Sequence, residues 1–367
     1  MRQSRTVCSQ DVPTHYFDNH GKRGVLLHAV GGLAAGSFYL PFKRVRRWSW
    51  ESYWLVGGLL MWGTCPLIAA VVTIPELLNT LQLDKQASLI TLLCGMGWGC
   101  GHITFGLSIR YLGISLGTGL SLGFCTFFGS LMPTLVKGTF FTLLAAPAGQ
   151  FALAGLAICL VGIVLTAWAG MSKENEVSEE IKKEGVEEFQ FFRGVSVALF
   201  AGVMSACFAF GIEFGQPLQE LAVTEGGADP IYANNAPLLL ILWGGGLMNF
   251  LFCITLNLRN GSVSDYVDRE KPLANNYIFC ILVGLIAYSE FLFFGMGETQ
   301  MGRFSVLASY PIHMAFIIAF SNMWGILLHE WRGTSGRTRG LLALGLLFLL
   351  GSTILSAYGS YQLTLLN

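Results

Sequence analysis

Phe105-Gly106, with Gly113 following, returns as Phe294-Gly295, with Gly302 following, at a constant offset of 189 residues. Gly162 recurs at the same offset as Gly351. An earlier pair of segments matches at an offset of 170: Gly24-Val25 with Gly194-Val195, and Ala35-Gly36-Ser37-Phe38 with Ser205-Ala206-Cys207-Phe208. Each copy holds about five apolar spans. An odd number of membrane crossings turns the second copy upside down. Inverted repeats are a common construction in secondary transporters, with the substrate held between the halves. The expected fold is an all-α integral membrane protein of about ten transmembrane helices in two inverted five-helix repeats.

Composition supports a membrane setting. The chain has 367 residues, 53% hydrophobic and 12% charged, whereas an average soluble domain is roughly 25% charged. So few charges cannot coat a globular protein of this size. The 22 basic and 22 acidic residues leave no net charge to mark a nucleic-acid partner. Eight cysteines, from Cys65 to Cys280, lie in apolar runs, where a free thiol behaves as a small hydrophobe. Residues 1–23 are polar and contain no apolar core of the kind a cleaved signal needs.

The spans read as 24–42, 53–72, 88–109, 114–136, 149–170, 195–215, 236–256, 276–296, 304–328 and 341–360. Each approaches the ~20 residues a bilayer core requires. Backbone groups in lipid must be satisfied within the segment, so the spans should be helices. The chain then divides into a polar tail (1–23), a first repeat (24–171), a charged linker rich in Glu and Lys (172–192) and a second repeat (193–367). A further insertion, 216–235, accounts for the change of repeat offset. Odd-numbered loops carry 15 of the 22 Lys and Arg residues, with the cluster Lys43–Arg47 the strongest signal. Positive charge stays in the cytoplasm, so both termini are expected outside.

Ionisable groups inside spans cost ~2.5–3.5 kcal/mol each at a helix centre. Glu290 lies well inside the eighth span. Either it binds a proton or substrate, taking a proton up outside and releasing it inside, or it is held permanently by hydrogen bonds between helices. His313 and Glu213 are the other candidates for proton coupling. His313 and His102 can each be a proton or substrate site or a neutral donor between helices. Sugar rings present apolar C–H faces that pack on aromatic rings, so Phe38, Tyr39, Trp98, Tyr288 and Tyr310 join His102, Glu290 and His313 as substrate-binding candidates. Membrane Trp and Tyr also mark interfaces and packing. The glycines of 95–101 resemble a dinucleotide loop but lie inside a span with no preceding strand, so close helix packing is the better reading. Cys94, Cys100 and His102 lack metal-site spacing.

The run Phe38-Tyr39-Leu40-Pro41-Phe42-Lys43-Arg44-Val45-Arg46-Arg47-Trp48-Ser49-Trp50-Glu51, continuing to Trp54 and Val56-Gly57-Gly58, resembles the first helix and loop of the bacterial L-rhamnose–proton symporter family. That family falls in the drug/metabolite transporter superfamily. The resemblance continues at Trp98-Gly99, Gly101, Arg110-Tyr111-Leu112-Gly113, Gly117, Gly119, Leu131-Met132 and Pro133. It returns at Asp229-Pro230-Ile231-Tyr232, Gly244-Gly245-Gly246 and Glu330-Trp331. Segments 288–302 and 305–311 match the family pattern poorly, and Glu290 and Glu213 stand apart from it.

The resemblance implies ten helices in two inverted halves, in the bacterial inner membrane, and uptake of L-rhamnose or a related deoxy sugar or aldose with protons as the coupling ion. No cofactor is expected, and the expected partners are the small sugar and membrane lipid, with no nucleic acid. The alternative is a carrier of another metabolite in the same superfamily, either an exporter or a sodium-coupled protein. No catalytic constellation such as a membrane His-Glu-x-x-His is present, so an enzyme is not expected.

Overall fold

The computed structural model describes residues 14–136, 138, 140–145, 147–176, 189–300 and 305–365. All regular structure among them is helical. The elements are α1 (Thr14–Ser37), α2 (Trp50–Thr73), α3 (Leu77–Leu83), α4 (Lys85–Leu112), α5 (Ile114–Val136), α6 (Phe140–Ala145), α7 (Pro147–Glu176), α8 (Phe191–Phe214), α9 (Gln216–Thr224), α10 (Asn235–Asn260), α11 (Leu273–Gln300), α12 (Ser305–Leu327) and α13 (Gly336–Leu365). Among the described residues, seven helices are long and apolar enough to cross a membrane, and shorter apolar helices run through Ile114–Gly129 and Ile312–Leu327.

The helices wear their large apolar side chains outward. Val72 is 75% exposed, and Ile326 and Leu347 are each 66% exposed, whereas Ala70, Ala198 and Ala287 are fully buried. Such an apolar coat would be untenable in water and suits lipid. Small residues turned inward let backbones approach. A β-carbon at Gly32 of α1 would lie 2.4 Å from the Phe316 Cβ of α12, and one at Gly202 of α8 would lie 2.2 Å from the Phe124 Cβ of α5. The packing order follows: α1 lies on α11 and α12, α8 on α4 and α5, α10 on α4, α2 on α11, and α7 on α13.

Helix ends are fixed by specific groups. Asp84 caps α4 by accepting the Ala87 N–H at 2.8 Å. Gly113, at φ 88°, breaks the chain between α4 and α5. The start of α5 is capped from a distance: the buried Glu330 carboxylate accepts the Ile114 and Ser115 N–H groups at 3.0 and 3.1 Å. A carboxylate there meets the positive end of the helix dipole.

The α1–α2 connection is strapped to the α10–α11 connection. Arg46 and Asn276 exchange hydrogen bonds at 3.0 and 2.9 Å. Asp265 accepts from the Ser49 N–H and the Ser52 hydroxyl, both at 2.8 Å, and pairs with Lys271 at 2.6 Å. Burial pushes the Asp265 carboxyl up, but the Lys271 ammonium and these two donors outweigh it and hold it below its ordinary value. Buried Glu51 accepts from Asn260 and Ser262 at 2.8 Å.

Most observed helices run past the apolar spans, but α1 stops at Ser37, short of the expected 42, and a separate 3₁₀ turn, Pro41–Arg44, follows it. α1 begins at Thr14, ten residues before the expected start at 24, because a helix need not stop where its apolar side chains do. The insertion 216–235 is not a bare loop. It contains α9, whose Leu218 and Ala222 are buried against Ile74 and Leu77, and a 3₁₀ turn, Pro230–Tyr232, capped by Asp229. Residues 1–13 of the expected tail, 177–188 of the charged linker, and Arg303 lie outside the described residues.

Candidate functional site

A cavity lies where α1, α4, α5, α8, α11 and α12 converge, with about 650 Å³ of atom-free space including its open mouth. Its wall carries the repeated sequence patches: Ala35, Phe38 and Phe105 from one stretch, Ser205, Phe208 and Phe294 from the other. Small-molecule sites are mostly apolar with a few placed polar groups. Here the polar groups are His102, Ser205, Glu290, Tyr310 and His313.

Of the residues expected at a site, Phe38, Trp98, His102, Glu290, Tyr310 and His313 line this cavity together. Trp98 stands in a nest of rings. It lies 4.9 Å from His102, 5.5 Å from Phe208 and 5.4 Å edge-on from Phe291, between centroids. His102 is in turn 5.2 Å from Trp62, edge-on, in the six-residue π-helical segment Leu59–Thr64 of α2. Such π segments cluster at functional sites. The Tyr310 hydroxyl and the Cys125 thiol are hydrogen-bonded across the wall.

The other three candidates lie elsewhere. Tyr39 is buried behind Phe38, packed edge-on against Phe42 at 5.6 Å. Tyr288 is half-buried at the rim of the aromatic core. Glu213 is half-buried near the end of α8 and does not line the cavity.

Glu290 and His313 form the ionisable centre. His313 Nε2 is 3.9 Å from Glu290 Oε1, beyond direct hydrogen-bond length, with the side chains 2% and 16% exposed. α1 approaches this pair through Gly31, where a β-carbon would come 2.8 Å from His313 Cε1 and 3.1 Å from the Glu290 carbonyl oxygen. One turn away on the same helix is His28, fully buried, its ring 5.5 Å from that of His313 and 5.7 Å from Phe294. The sequence reading passes over His28. The available signal was its spacing: His28, Gly31 and Gly32 stand at i, i+3 and i+4, one face of a helix.

Further along α11, the buried Glu298 accepts a hydrogen bond from the Asn234 carboxamide, which also donates to the Gly295 carbonyl at 3.0 Å. Among the described residues no group of three or more His, Cys, Asp or Glu could hold a metal ion.

A polytopic helical protein with an apolar outer coat, an aromatic cavity among its spans and a half-buried acid beside a buried imidazole in that cavity's wall has the build of a membrane carrier. The L-rhamnose-proton symport protein (RhaT) family model matches residues 17–360. The L-rhamnose-proton symporter of Cronobacter sakazakii (strain ATCC BAA-894) is 34% identical over 326 residues, covering 88% of this chain and 93% of that protein. Its namesake from Yersinia pestis (strain Pestoides F) is 31% identical over 331 residues, covering 89% and 94%. The chain belongs to the L-rhamnose-proton symport protein family, a family of transporters and not of enzymes.

Proposed function

We propose that the protein imports L-rhamnose or a related deoxy sugar together with protons, by alternating access. The observation that carries this reading is Glu290, an acid in the wall of an aromatic cavity 3.9 Å from His313, in a chain related to proteins named L-rhamnose-proton symporter. The sugar sits in the cavity, its C–H faces on Phe38 and Trp98 and its hydroxyls toward His102, Tyr310 and Glu290. A proton binds Glu290, shared with His313. Coupling requires that sugar and proton each bind one conformation better than the other.

Ten spans in two inverted five-helix repeats are part of the proposal, as is a place in the drug/metabolite transporter superfamily. Reciprocal packing supports the repeat. α1 lies on α11 and α12 as α8 lies on α4 and α5. Gly32 meets Phe316 as Gly202 meets Phe124, and Gly95 meets the α10 backbone at Ile241 as Gly284 meets the α2 backbone at Gly57. The first repeat comprises residues 24–171 and the second 193–367, joined by the charged linker. The asymmetry of basic residues supports a bacterial inner-membrane location with both termini periplasmic.

The test is uptake by proteoliposomes under an inward proton gradient, preceded by thermal-shift measurement with a panel of deoxy sugars and aldoses at two pH values. L-Rhamnose or a close deoxy analogue should raise the melting temperature and accumulate only with the gradient. Accumulation that ignores protons but follows sodium would overturn the coupling ion. Failure of every sugar to stabilise the protein would overturn the substrate class.

A further inference from the structure

We propose that His28 is a third proton-holding residue of the carrier, sharing with His313 the proton that couples to Glu290; this rests on the symport reading above. His28 does not line the cavity. It lies behind the cavity wall, fully buried, and neither ring nitrogen has a hydrogen-bond partner among the described residues. A buried polar group is ordinarily hydrogen-bonded. An imidazole left with both nitrogens open, edge-on to a second imidazole at 5.5 Å, is poorly explained as a structural clasp.

The surroundings hold His28 in that place. A β-carbon at Gly297 would lie 3.0 Å from the His28 Cε1 and 3.1 Å from each ring nitrogen. The Phe294 ring walls one side, 5.7 Å from His28 and 5.2 Å from His313. The helices packed against α1 are α11 and α12. The titratable groups they bring to this region are Glu290 and Glu298 from α11, and Tyr310 and His313 from α12.

The step balances without a co-reactant. A proton leaves a ring nitrogen of His313 and binds an open ring nitrogen of His28, so the positive charge moves and its amount is unchanged. Repulsion in a medium of low dielectric keeps both imidazoles from being charged at once. The three groups therefore pass one proton among them: on Glu290 when the acid is neutral, or on one imidazole when it is not. His28 stores the proton away from the sugar, whereas Glu290 and His313 meet it at the cavity wall. In the other half of the protein, the places matching His28, Glu290 and His313 on the repeat reading are Ala198, Gly101 and Phe124. The proton site is thus confined to one half while the cavity belongs to both.

The experiment compares the full-length protein with His28→Gln and Gly297→Ala in proteoliposomes, using L-rhamnose. The first removes the titrating ring. The second keeps it but crowds it, and serves if the first fails to fold. Two readouts are taken from pH 5.5 to 8.5: counterflow exchange, which needs sugar binding but no net proton movement, and accumulation driven by the proton gradient. Expected is exchange within about threefold of the unaltered protein, accumulation reduced at least tenfold, and a displaced pH profile. Glu298→Gln controls for the neighbouring acid and should retain the unaltered protein's accumulation. Accumulation and pH profile unchanged in both variants would overturn the role of His28. No proton-driven accumulation by the unaltered protein would instead overturn the symport reading beneath it.

Discussion

The imidazole of His313 faces the carboxyl of Glu290 across 3.9 Å, from a neighbouring helix. Neither residue can be exchanged for its neutral analogue without changing what the pair does with a proton. Glu290→Gln keeps the shape and loses the acid. Sugar-driven exchange should survive within several-fold, while accumulation against a gradient should fall to the level of empty liposomes. A variant that still concentrates sugar would remove Glu290 from the coupling site.

Trp98 supplies the largest flat surface in the cavity wall, held by Phe208 and Phe291. Trp98→Ala should weaken sugar binding at least tenfold, measured by the sugar concentration giving half the maximal thermal shift. Trp98→Phe should recover most of the loss. Equal behaviour of both variants would show that the ring face is not what the sugar meets.

Gly32 brings α1 against α12 at Phe316. Overpacking a close contact costs about 1–3 kcal/mol. Gly32→Ala should lower the melting temperature of the purified protein and depress transport with it. Gly63, whose β-carbon would meet nothing within 4 Å, is the control, and its alanine variant should melt as the unaltered protein does.

Glu330 closes the first turn of α5 through the Ile114 and Ser115 N–H groups. Charge-assisted hydrogen bonds contribute about 1.5–3 kcal/mol each. Glu330→Ala should therefore destabilise the protein more than Glu330→Gln, which can still accept one bond. Denaturant midpoints in one detergent would rank the two.

Two carboxylates outside the spans set an acid dependence. The Ser335 N–H, followed by the Thr338 hydroxyl and further donors, pulls Glu176 down to about 2, and Asp265 is also held below its ordinary value. A depressed carboxyl favours folding fully above its unfolded value and loses that contribution as pH falls toward the folded one. The melting temperature should therefore decline from about pH 4.5 toward 2. Glu176→Gln and Asp265→Asn should each flatten part of that decline, read by melting curves at stepped pH.

Much of the helical layout is legible because lipid demands long apolar runs, and α5 starts at Ile114, where its sequence pattern starts. The polar ends of α1 and α7 are less legible: a helix extends into the interface on side chains that carry no membrane signal. Six of nine site candidates meet in the cavity because buried charge and aromatic surface are both rare and costly in lipid. His28 escapes because one histidine on an apolar face looks alike whether it packs or titrates. The strap through Asp265, Ser49 and Ser52 escapes for another reason: its partners lie over 200 residues apart, and no local pattern joins them.

The cavity wall draws the like-for-like rings Phe38 and Phe208, and Phe105 and Phe294, from both stretches of the chain. If the halves exchange postures during the cycle, each ring inherits the surroundings its counterpart leaves. The empty carrier then has little reason to rest facing one way, and its two end states lie near one another in free energy. Such a device is a reversible valve without a built-in direction, and the gradients on either side of the membrane decide which way sugar flows.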